Sequence, residues 1–191
     1  MRVVLASGSP RRLELLQRIG LEPVVRVADI DETPHAGEAP EATVARLART
    51  KAHTVERAPT DLVIAADTEV VVEGAVLGKP GDAGAATAML RSLSGRVHRV
   101  VTGVHVLRGI DEAAAVEETV VHVRPLTDAE IDAYVATGEP FGKAGAYAIQ
   151  GAGGMFVERI EGSDTNVIGL PLTTVVRLAA DIGVTLLPRR R

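Results

Sequence analysis

Residues 3–20 place a short apolar run directly before a well-delimited helix, and this unit constrains the fold more than any other stretch. Residues 3–6 are typical of a strand buried on both faces. Ser9 suits the N-cap of the following helix, Pro10 its first position, and Gly20 the position just past its end. A buried strand that passes through a loop into a helix is typical of α/β folds, in which helices cover a sheet.

The rest of the chain continues this alternation of strands and helices. We predict further helices over residues 41–57, 82–93, 127–138 and 172–182. Further strands are predicted over residues 62–66, 96–108, 115–126 and 184–187, with a hairpin turn near Glu73 and Gly74. Neither a long repeat nor a Pro/Gly/Ser-rich linker divides the chain, so residues 1–191 are predicted to form a single α/β domain around a mixed sheet.

Composition excludes several classes of function. The chain has no cysteine, which rules out disulfides, thiolate nucleophiles and cysteine-ligated metals, and which fits a cytoplasmic location. The net charge is -4, so the chain offers no broad basic surface for the backbone of a polymeric nucleic acid. Its aromatic residues are two tyrosines and two phenylalanines, with no tryptophan, which is too few for stacking platforms that bind bases. No apolar run approaches the ~20 residues of a membrane span, so we expect no membrane partner. The basic tail 188–191 is expected to be solvated.

The segment 7–12, "SGSPRR", has the features of a phosphate-binding loop. A helix N-terminus presents unpaired N–H groups and a positive dipole end, Gly8 allows close approach, and the hydroxyls of Ser7 and Ser9 add donors. Arg11 and Arg12 oppose the dipole in the first turn, so their placement favours an external anion such as a triphosphate. On this segment alone, a solvated basic turn with a serine cap is an equally good interpretation.

Other phosphate and nucleophile motifs are missing from the sequence. There is no G-x-x-x-x-G-K-[ST] loop, the stretch "GAGGMF" does not match G-x-G-x-x-G, and no serine lies in G-x-S-x-G. These absences disfavour a P-loop kinase, a dehydrogenase and a serine hydrolase of the α/β type.

Lys51 falls in the middle of the apolar side of the helix predicted over 41–57. Such a lysine either extends past the edge of the core to water or reaches an internal anion. Asp67, predicted at the carboxyl end of strand 62–66, and Lys79, in the loop "LGKPGD", favour a site there. Glu32, in the acidic stretch "DIDE", could join Asp67 in holding magnesium, although a solvated acidic loop is the alternative.

The histidines show no spacing typical of zinc ligands, and we predict that they are ordinary surface or strand residues. They are His35, His53, His98, His105 and His122.

Taken together, the motifs resemble those of the Maf family of nucleoside triphosphate pyrophosphatases, in the family's order and over most of residues 5–172. They are "SGSPRR", "DIDE", "ARTKA", "ADT", "LGKP", "SGRVHRVVTGV", "YVATGEPFGKAGAYAIQGAGG" and "NVIGLPL". The resemblance implies an α/β fold related to the inosine triphosphatase class, with a mixed twisted sheet, flanking helices and two lobes around a central cleft. It also implies a homodimer that uses a divalent metal, Mg²⁺ or Mn²⁺, to cut a nucleoside triphosphate into the monophosphate and pyrophosphate.

The resemblance also assigns roles by motif position. Asp67 matches the proposed proton acceptor, and Glu32, Lys51 and Lys79 match the other charged catalytic residues. The phosphate-binding residues would be Ser7, Gly8, Ser9, Arg11 and Arg12, and the metal ligands Glu32 and Asp67. Of two family branches, one prefers dTTP and UTP and the other 7-methyl-GTP. Arg11, Thr68 and Gln150 match the specificity positions of the first branch, so we expect a pyrimidine triphosphate as substrate.

Two positions depart from the family pattern. Glu69 stands where an apolar residue is common, and it is either an extra metal ligand or a solvent-facing residue. Asp164 stands where an aromatic residue is frequent, which bears on fine substrate preference. Two alternative functions stay open at this point. One is a broad pyrophosphatase that removes non-standard purine triphosphates from the nucleotide pool, and the other is a nucleotide-sensing regulator of cell division without turnover.

Overall fold

The computed structural model describes residues 1–186, which contain a seven-stranded mixed sheet and flanking helices. The strands are β1 (Val3–Leu5), β2 (Val24–Val25), β3 (Leu62–Val72), β4 (Ala75–Leu77), β5 (Val97–Arg108), β6 (Asp111–Val123) and β7 (Val157–Glu161). The α-helices are α1 (Pro10–Arg18), α2 (Pro40–Thr54), α3 (Ala83–Leu93), α4 (Asp128–Ala136), α5 (Asp164–Ile168) and α6 (Leu172–Asp181). Short 3₁₀ turns cover Ala144–Ala146 and Ala152–Phe156. The predicted α/β class is confirmed.

The sheet has the order β2-β1-β3-β5-β6-β7, and β4 pairs with β3 outside this path. Strand β1 is parallel to both β2 and β3, whereas β4 on β3 and β7 on β6 are antiparallel. The predicted turn between β3 and β4 is present, and Glu73 and Gly74 both have positive φ, of 50° and 82°. Two residues with positive φ are what a tight two-residue hairpin turn requires.

The chain divides into two compact units. The first comprises Met1–Asp67, Thr102–Glu117 and the residues from Gly169 onward, and the second comprises Thr68–Val101 and Glu118–Ile168. Two units agree in number with the two lobes that the family resemblance implies. The single domain over residues 1–191 stays a prediction.

In the first unit, helix α2 lies directly on strand β5 at Gly103. A Cβ atom on Gly103 would collide with the carbonyl group of Val44 in the helix. The apolar side predicted for this helix is buried, with Val44 and Ala48 fully enclosed and Leu47 3% exposed. Because backbone touches backbone at Gly103, the height of α2 above the sheet is fixed, and with it the positions of the side chains that α2 presents.

In the second unit, the core packs around Phe156 and Tyr134, whose rings meet edge to face at 4.9 Å. The capping box predicted for α4 is present, since the Thr127 side chain accepts from the Glu130 N–H and the Glu130 carboxylate accepts from the Thr127 N–H. Asp82 caps α3 by accepting from the Ala85 N–H at 2.8 Å. Capping of this kind stabilises a helix by about 1 kcal/mol.

Several predicted boundaries were wrong. Strand β3 continues to Val72, so Asp67 lies within the strand and not at its carboxyl end. Helix α2 ends at Thr54, because Val55 already has an extended backbone (φ -72°, ψ 145°). Residues 184–186 form no strand, and Leu187 and the basic tail lie outside the described residues. The sequence analysis also missed β2, β7 and α5, which are only two to five residues long.

His98 in β5 is a buried histidine with a single polar neighbour. It is 1% exposed, and its Nε2 lies 2.9 Å from the Tyr147 hydroxyl. Burial, followed by the charge of His122, lowers the pKa of His98 from 6.5 to about 4. The folded protein therefore holds this ring neutral at pH values where the unfolded chain protonates it.

We expect the stability of the fold to decline as the pH falls from 6.5 toward 4. The unfolded state binds a proton in this window that the folded state does not, so the free energy of unfolding should drop by about 2 kcal/mol between pH 7 and pH 5. Urea unfolding at each pH measures this drop. His98→Gln should remove most of it and His35→Gln, at an exposed histidine, should not; equal pH profiles for all three proteins would contradict the assignment.

Candidate active site

The loop before α1 is shaped by internal hydrogen bonds. Ser9 is the N-cap residue, but its side chain makes no capping bond. Its backbone N–H instead donates to the Ser7 hydroxyl at 3.2 Å. Pro10 follows at the first helical position, as predicted, and Gly8 is exposed at the tip of the loop. The loop therefore presents the N-terminus of α1, with its positive dipole end, beside an accessible glycine backbone.

Arg12 is buried behind this loop. Its Nε donates to the Gly169 carbonyl at 2.7 Å and its Nη1 donates to the Ser7 hydroxyl at 3.0 Å. Burial lowers the pKa of the Arg12 guanidinium, while the charges of Asp67 and Glu32 act in the opposite direction. Arg12 therefore holds the loop in place and adds positive charge from a buried position behind it. Its predicted role in binding phosphate stays a prediction.

Arg11 is the more accessible of the two arginines. It is half-buried, and burial is the main reason for a lowered pKa of its guanidinium, with the charge of Glu14 opposing it. A guanidinium stays charged at any physiological pH. Arg11 thus has the more accessible guanidinium of the two, and its predicted contact with phosphate stays a prediction.

The buried Lys51 is the centre of a charge cluster in the first unit. Its Nζ lies 2.6 Å from Asp67 Oδ1 and 2.7 Å from Glu32 Oε1. The side chains of Lys51 and Asp67 are 9% and 14% exposed, whereas that of Glu32 is 52% exposed. The lysine on the apolar side of α2 therefore reaches an internal anion, and the alternative that it extends into water was wrong.

The carboxylates of Glu32 and Asp67 fit a hard divalent cation. Both present an oxygen to the same point, which the Lys51 ammonium occupies. Magnesium and manganese prefer oxygen ligands and use one or two carboxylates together with substrate phosphates. The carboxylate oxygens of Glu32 and Asp67 thus match the magnesium or manganese expected from the sequence. The contacts with the Lys51 ammonium show that the two carboxylates already converge on a positive charge.

The other predicted site residues belong to the second unit. Thr68 is half-buried in β3 immediately after Asp67, Lys79 is exposed just before the buried Pro80, and Gln150 is exposed just before the second 3₁₀ turn. The structure brings Ser7, Arg12, Glu32, Lys51 and Asp67 into one cluster by direct contacts or by charge. The roles predicted for Lys79, Thr68 and Gln150 stay predictions.

Glu139 fixes the segment around Gln150, a role that the sequence analysis missed. Its carboxylate accepts from the Tyr134 hydroxyl at 2.8 Å and from the N–H groups of Ala152 and Gly153 at 3.1 and 3.0 Å. These three hydrogen bonds to one carboxylate fix the backbone path of the glycine-rich turn that follows Gln150. The signal in the sequence was a glutamate after a helix-ending glycine, which is too common to be specific.

The two departures from the family pattern have different surroundings. Glu69 is half-buried and lies two residues after Asp67 in β3, so the two side chains leave the same face of the strand. Asp164 is exposed at the first position of α5, where its Oδ1 accepts from the Thr165 N–H at 2.8 Å. An aspartate suits the N-terminus of a helix, and this accounts for Asp164 locally.

Comparison with known proteins places this chain in a family. The family model described as "Maf-like protein" matches residues 2–182. The chain belongs to the Maf family. This confirms the resemblance predicted from the motifs. Within residues 1–186, this Maf protein has no helix with the length and apolar character needed to cross a membrane.

Curated relatives of this Maf protein match it over nearly their whole length. A "dTTP/UTP pyrophosphatase" of Myxococcus xanthus (strain DK1622) is 54% identical over 185 residues, which are 96% of this chain and 94% of the relative. A "dTTP/UTP pyrophosphatase" of Symbiobacterium thermophilum is 48% identical over 183 residues, or 95% and 94% of the two chains. Among solved structures, the Staphylococcus aureus Ham1 protein matches 64% of this chain at 17% identity, with a TM-score of 0.45.

Proposed function

We propose that this protein is a nucleoside triphosphate pyrophosphatase that prefers dTTP and UTP and releases pyrophosphate. The observation that carries the proposal is the contact of the buried Lys51 with Asp67 and Glu32, in the same unit as the helix N-terminus at Ser9. A cluster of two carboxylates and a lysine beside an anion-binding helix end suits phosphoryl transfer, in which positioning and charge stabilisation supply most of catalysis. The names of relatives that are about half identical over almost the whole chain support the same substrate.

In the proposed reaction, water attacks the α-phosphorus, the bond from that phosphorus to the oxygen bridging to the β-phosphate breaks, and pyrophosphate leaves. Arg11 and the N-terminus of α1 bind phosphate oxygens, and Arg12 supports them from behind. Asp67 accepts the proton of the attacking water. Lys51 contacts Asp67 and Glu32 and so orients both carboxylates.

Glu32 and Asp67 would hold the divalent cation. When bound, magnesium or manganese supplies neutralisation of phosphate charge and a lower pKa of coordinated water. We also propose that the protein acts in the cytoplasm as a homodimer and has no polymeric nucleic acid partner; sedimentation equilibrium measures the oligomeric state.

The test of the function is a panel of nucleotides with magnesium or manganese, in which pyrophosphate release is measured from dTTP, UTP, CTP, dITP, XTP and 7-methyl-GTP. We expect dTTP and UTP to give the highest kcat/KM. Faster hydrolysis of dITP and XTP would establish the broad purine enzyme instead. Nucleotide binding without pyrophosphate release would establish the sensor.

Gln150 is proposed to read the pyrimidine, because its amide both donates and accepts hydrogen bonds and its side chain is exposed. Gln150→Glu removes the donor, so we expect kcat/KM for dTTP and UTP to fall roughly 10- to 100-fold, the size of one hydrogen bond in a binding site. The ratio of rates on dTTP and CTP measures the effect. The matched control is Gln17→Glu, at an exposed position of α1. An equal loss on all bases would indicate a structural role for Gln150 instead.

A further inference from the structure

A second polar cluster lies in the first unit and involves none of the residues assigned to triphosphate hydrolysis. His53 is in the last turn of α2, His105 is in β5 and Glu112 is in β6. His53 Nε2 lies 2.7 Å from Glu112 Oε2, and His105 Nε2 lies 3.0 Å from the same oxygen. One carboxylate oxygen is therefore shared by two imidazole nitrogens. Glu112 lies 59 positions after His53 and 7 positions after His105, so the three residues do not have the spacing of a zinc motif.

We propose that His53, His105 and Glu112 form a site for a divalent transition metal of the zinc type. One candidate ligand atom from each of the three residues lies within 4.8 Å of the others. Tetrahedral zinc with bonds of about 2.0–2.1 Å separates its ligand atoms by roughly 3.3 Å, so the contacts of 2.7 and 3.0 Å need to lengthen by about 0.6 and 0.3 Å. Two imidazoles and one carboxylate with a further position open to water are a ligand set that zinc adopts.

The surroundings of the cluster favour a cation. Arg49 Nη2 donates to the other carboxylate oxygen, Glu112 Oε1, at 3.1 Å, and so turns Oε2 toward the two histidines. An outer partner that orients a ligand in this way is a common feature of metal sites. The positive charge of Arg49 opposes a bound cation, whereas Asp111 and Asp181, which line a surface depression together with Glu112, favour it.

His105 is the enclosed residue of the cluster, and Glu112 is its carboxylate. Burial lowers the pKa of His105, with the contact to Glu112 opposing it. The hydrogen bond from His53, with smaller effects of Arg49 and His105, lowers the pKa of Glu112 to about 2. His105 is 3% exposed, and among residues 1–186 its Nδ1 has no hydrogen-bond partner, so nothing described on the far side of the ring fixes its tautomer. The site is carried by the convergence of one ligand atom from each of the three side chains.

Zinc binding to protein without a histidine tag tests the proposal. The protein is stripped with EDTA and titrated with Zn²⁺ by calorimetry in excess magnesium, which occupies sites that prefer oxygen ligands. We expect one zinc ion per chain and a thermal midpoint that rises with zinc. His53→Ala, at a side chain 41% exposed, should weaken zinc binding at least about 100-fold, since even losing an outer partner costs 10- to 100-fold.

Two control variants make the test specific. His122→Ala removes a histidine that contacts Glu161 at 2.9 Å in the second unit, and it should bind zinc as the original protein does. The double variant Glu32→Gln with Asp67→Asn should also keep the zinc-binding event while losing hydrolysis, which separates this proposal from the proposed function. Zinc binding that persists in His53→Ala, or that disappears in the double variant, would overturn the site.

Discussion

Asp67→Asn is expected to lower pyrophosphate release from dTTP by about 10²- to 10⁴-fold, the range that a positioned general base contributes. Asparagine keeps the size of the side chain but neither accepts the proton of water nor carries the charge that faces Lys51. The change is measured as kcat under saturating dTTP and magnesium, together with the thermal midpoint of unfolding.

The position of Asp67 makes this variant informative. The side chain is 14% exposed inside a strand whose flanking residues Ala65 and Ala66 are fully buried, so the backbone around it is held by the sheet and should not move. Asp111→Asn, which removes the same charge at an exposed position of the first unit, is the matched control and should leave kcat unchanged. Turnover of Asp67→Asn at the rate of that control would refute the role of Asp67.

Lys51→Met is expected to lower kcat about 10²-fold while tightening the binding of manganese in the absence of nucleotide. Methionine is similar in length and suits the buried side of α2, but it removes the ammonium that contacts Asp67 and Glu32. The two carboxylates then have no cation between them, so a divalent ion meets less competition for their oxygens. Turnover loses a cation that the triphosphate needs.

The opposite signs of these two effects distinguish a role in the site from damage to the fold. Manganese binding is followed by electron paramagnetic resonance, and turnover by pyrophosphate release. Arg18→Met removes one positive charge from the exposed end of α1 and should change neither quantity. If Lys51→Met loses turnover and manganese binding together with a large drop in thermal stability, the lysine serves the fold and the assignment is wrong.

Two residues of the charge cluster carried a local signal in the sequence, and a solvated acidic loop stayed the alternative for the third, Glu32. Lys51 stood out as a charge on an apolar helix side, and Asp67 as a carboxylate directly after a buried run. The extent of β3 was not predictable in the same way. After Asp67 the strand is half-buried for Thr68 and Glu69 and buried again at Val70, so the apolar pattern is interrupted within one continuous element.

Contacts that depend on the tertiary fold left no such signal. Glu139 meets Ala152 and Gly153 only because the glycine-rich turn folds back, and its sequence shows no special spacing. His53 and Glu112 are 59 positions apart, so a search for the close ligand spacing of zinc motifs passes over them. Residue patterns along a chain predict local structure. Contacts between strands and helices that are distant in sequence become known only from the three-dimensional structure.

The contact of α2 with Gly103 determines which part of the charge cluster is able to adjust. Helix α2 touches the strand at Val44, and Lys51 follows about two helical turns later, roughly 10 Å along the same helix. Because backbone meets backbone at Gly103, no side chain lies between helix and strand there that could yield. Glu32 instead comes from a stretch between β2 and α2 with no regular secondary structure. Lys51 is therefore the fixed residue of the cluster, whereas the half-exposed Glu32 lies on the segment that the sheet and helices constrain least.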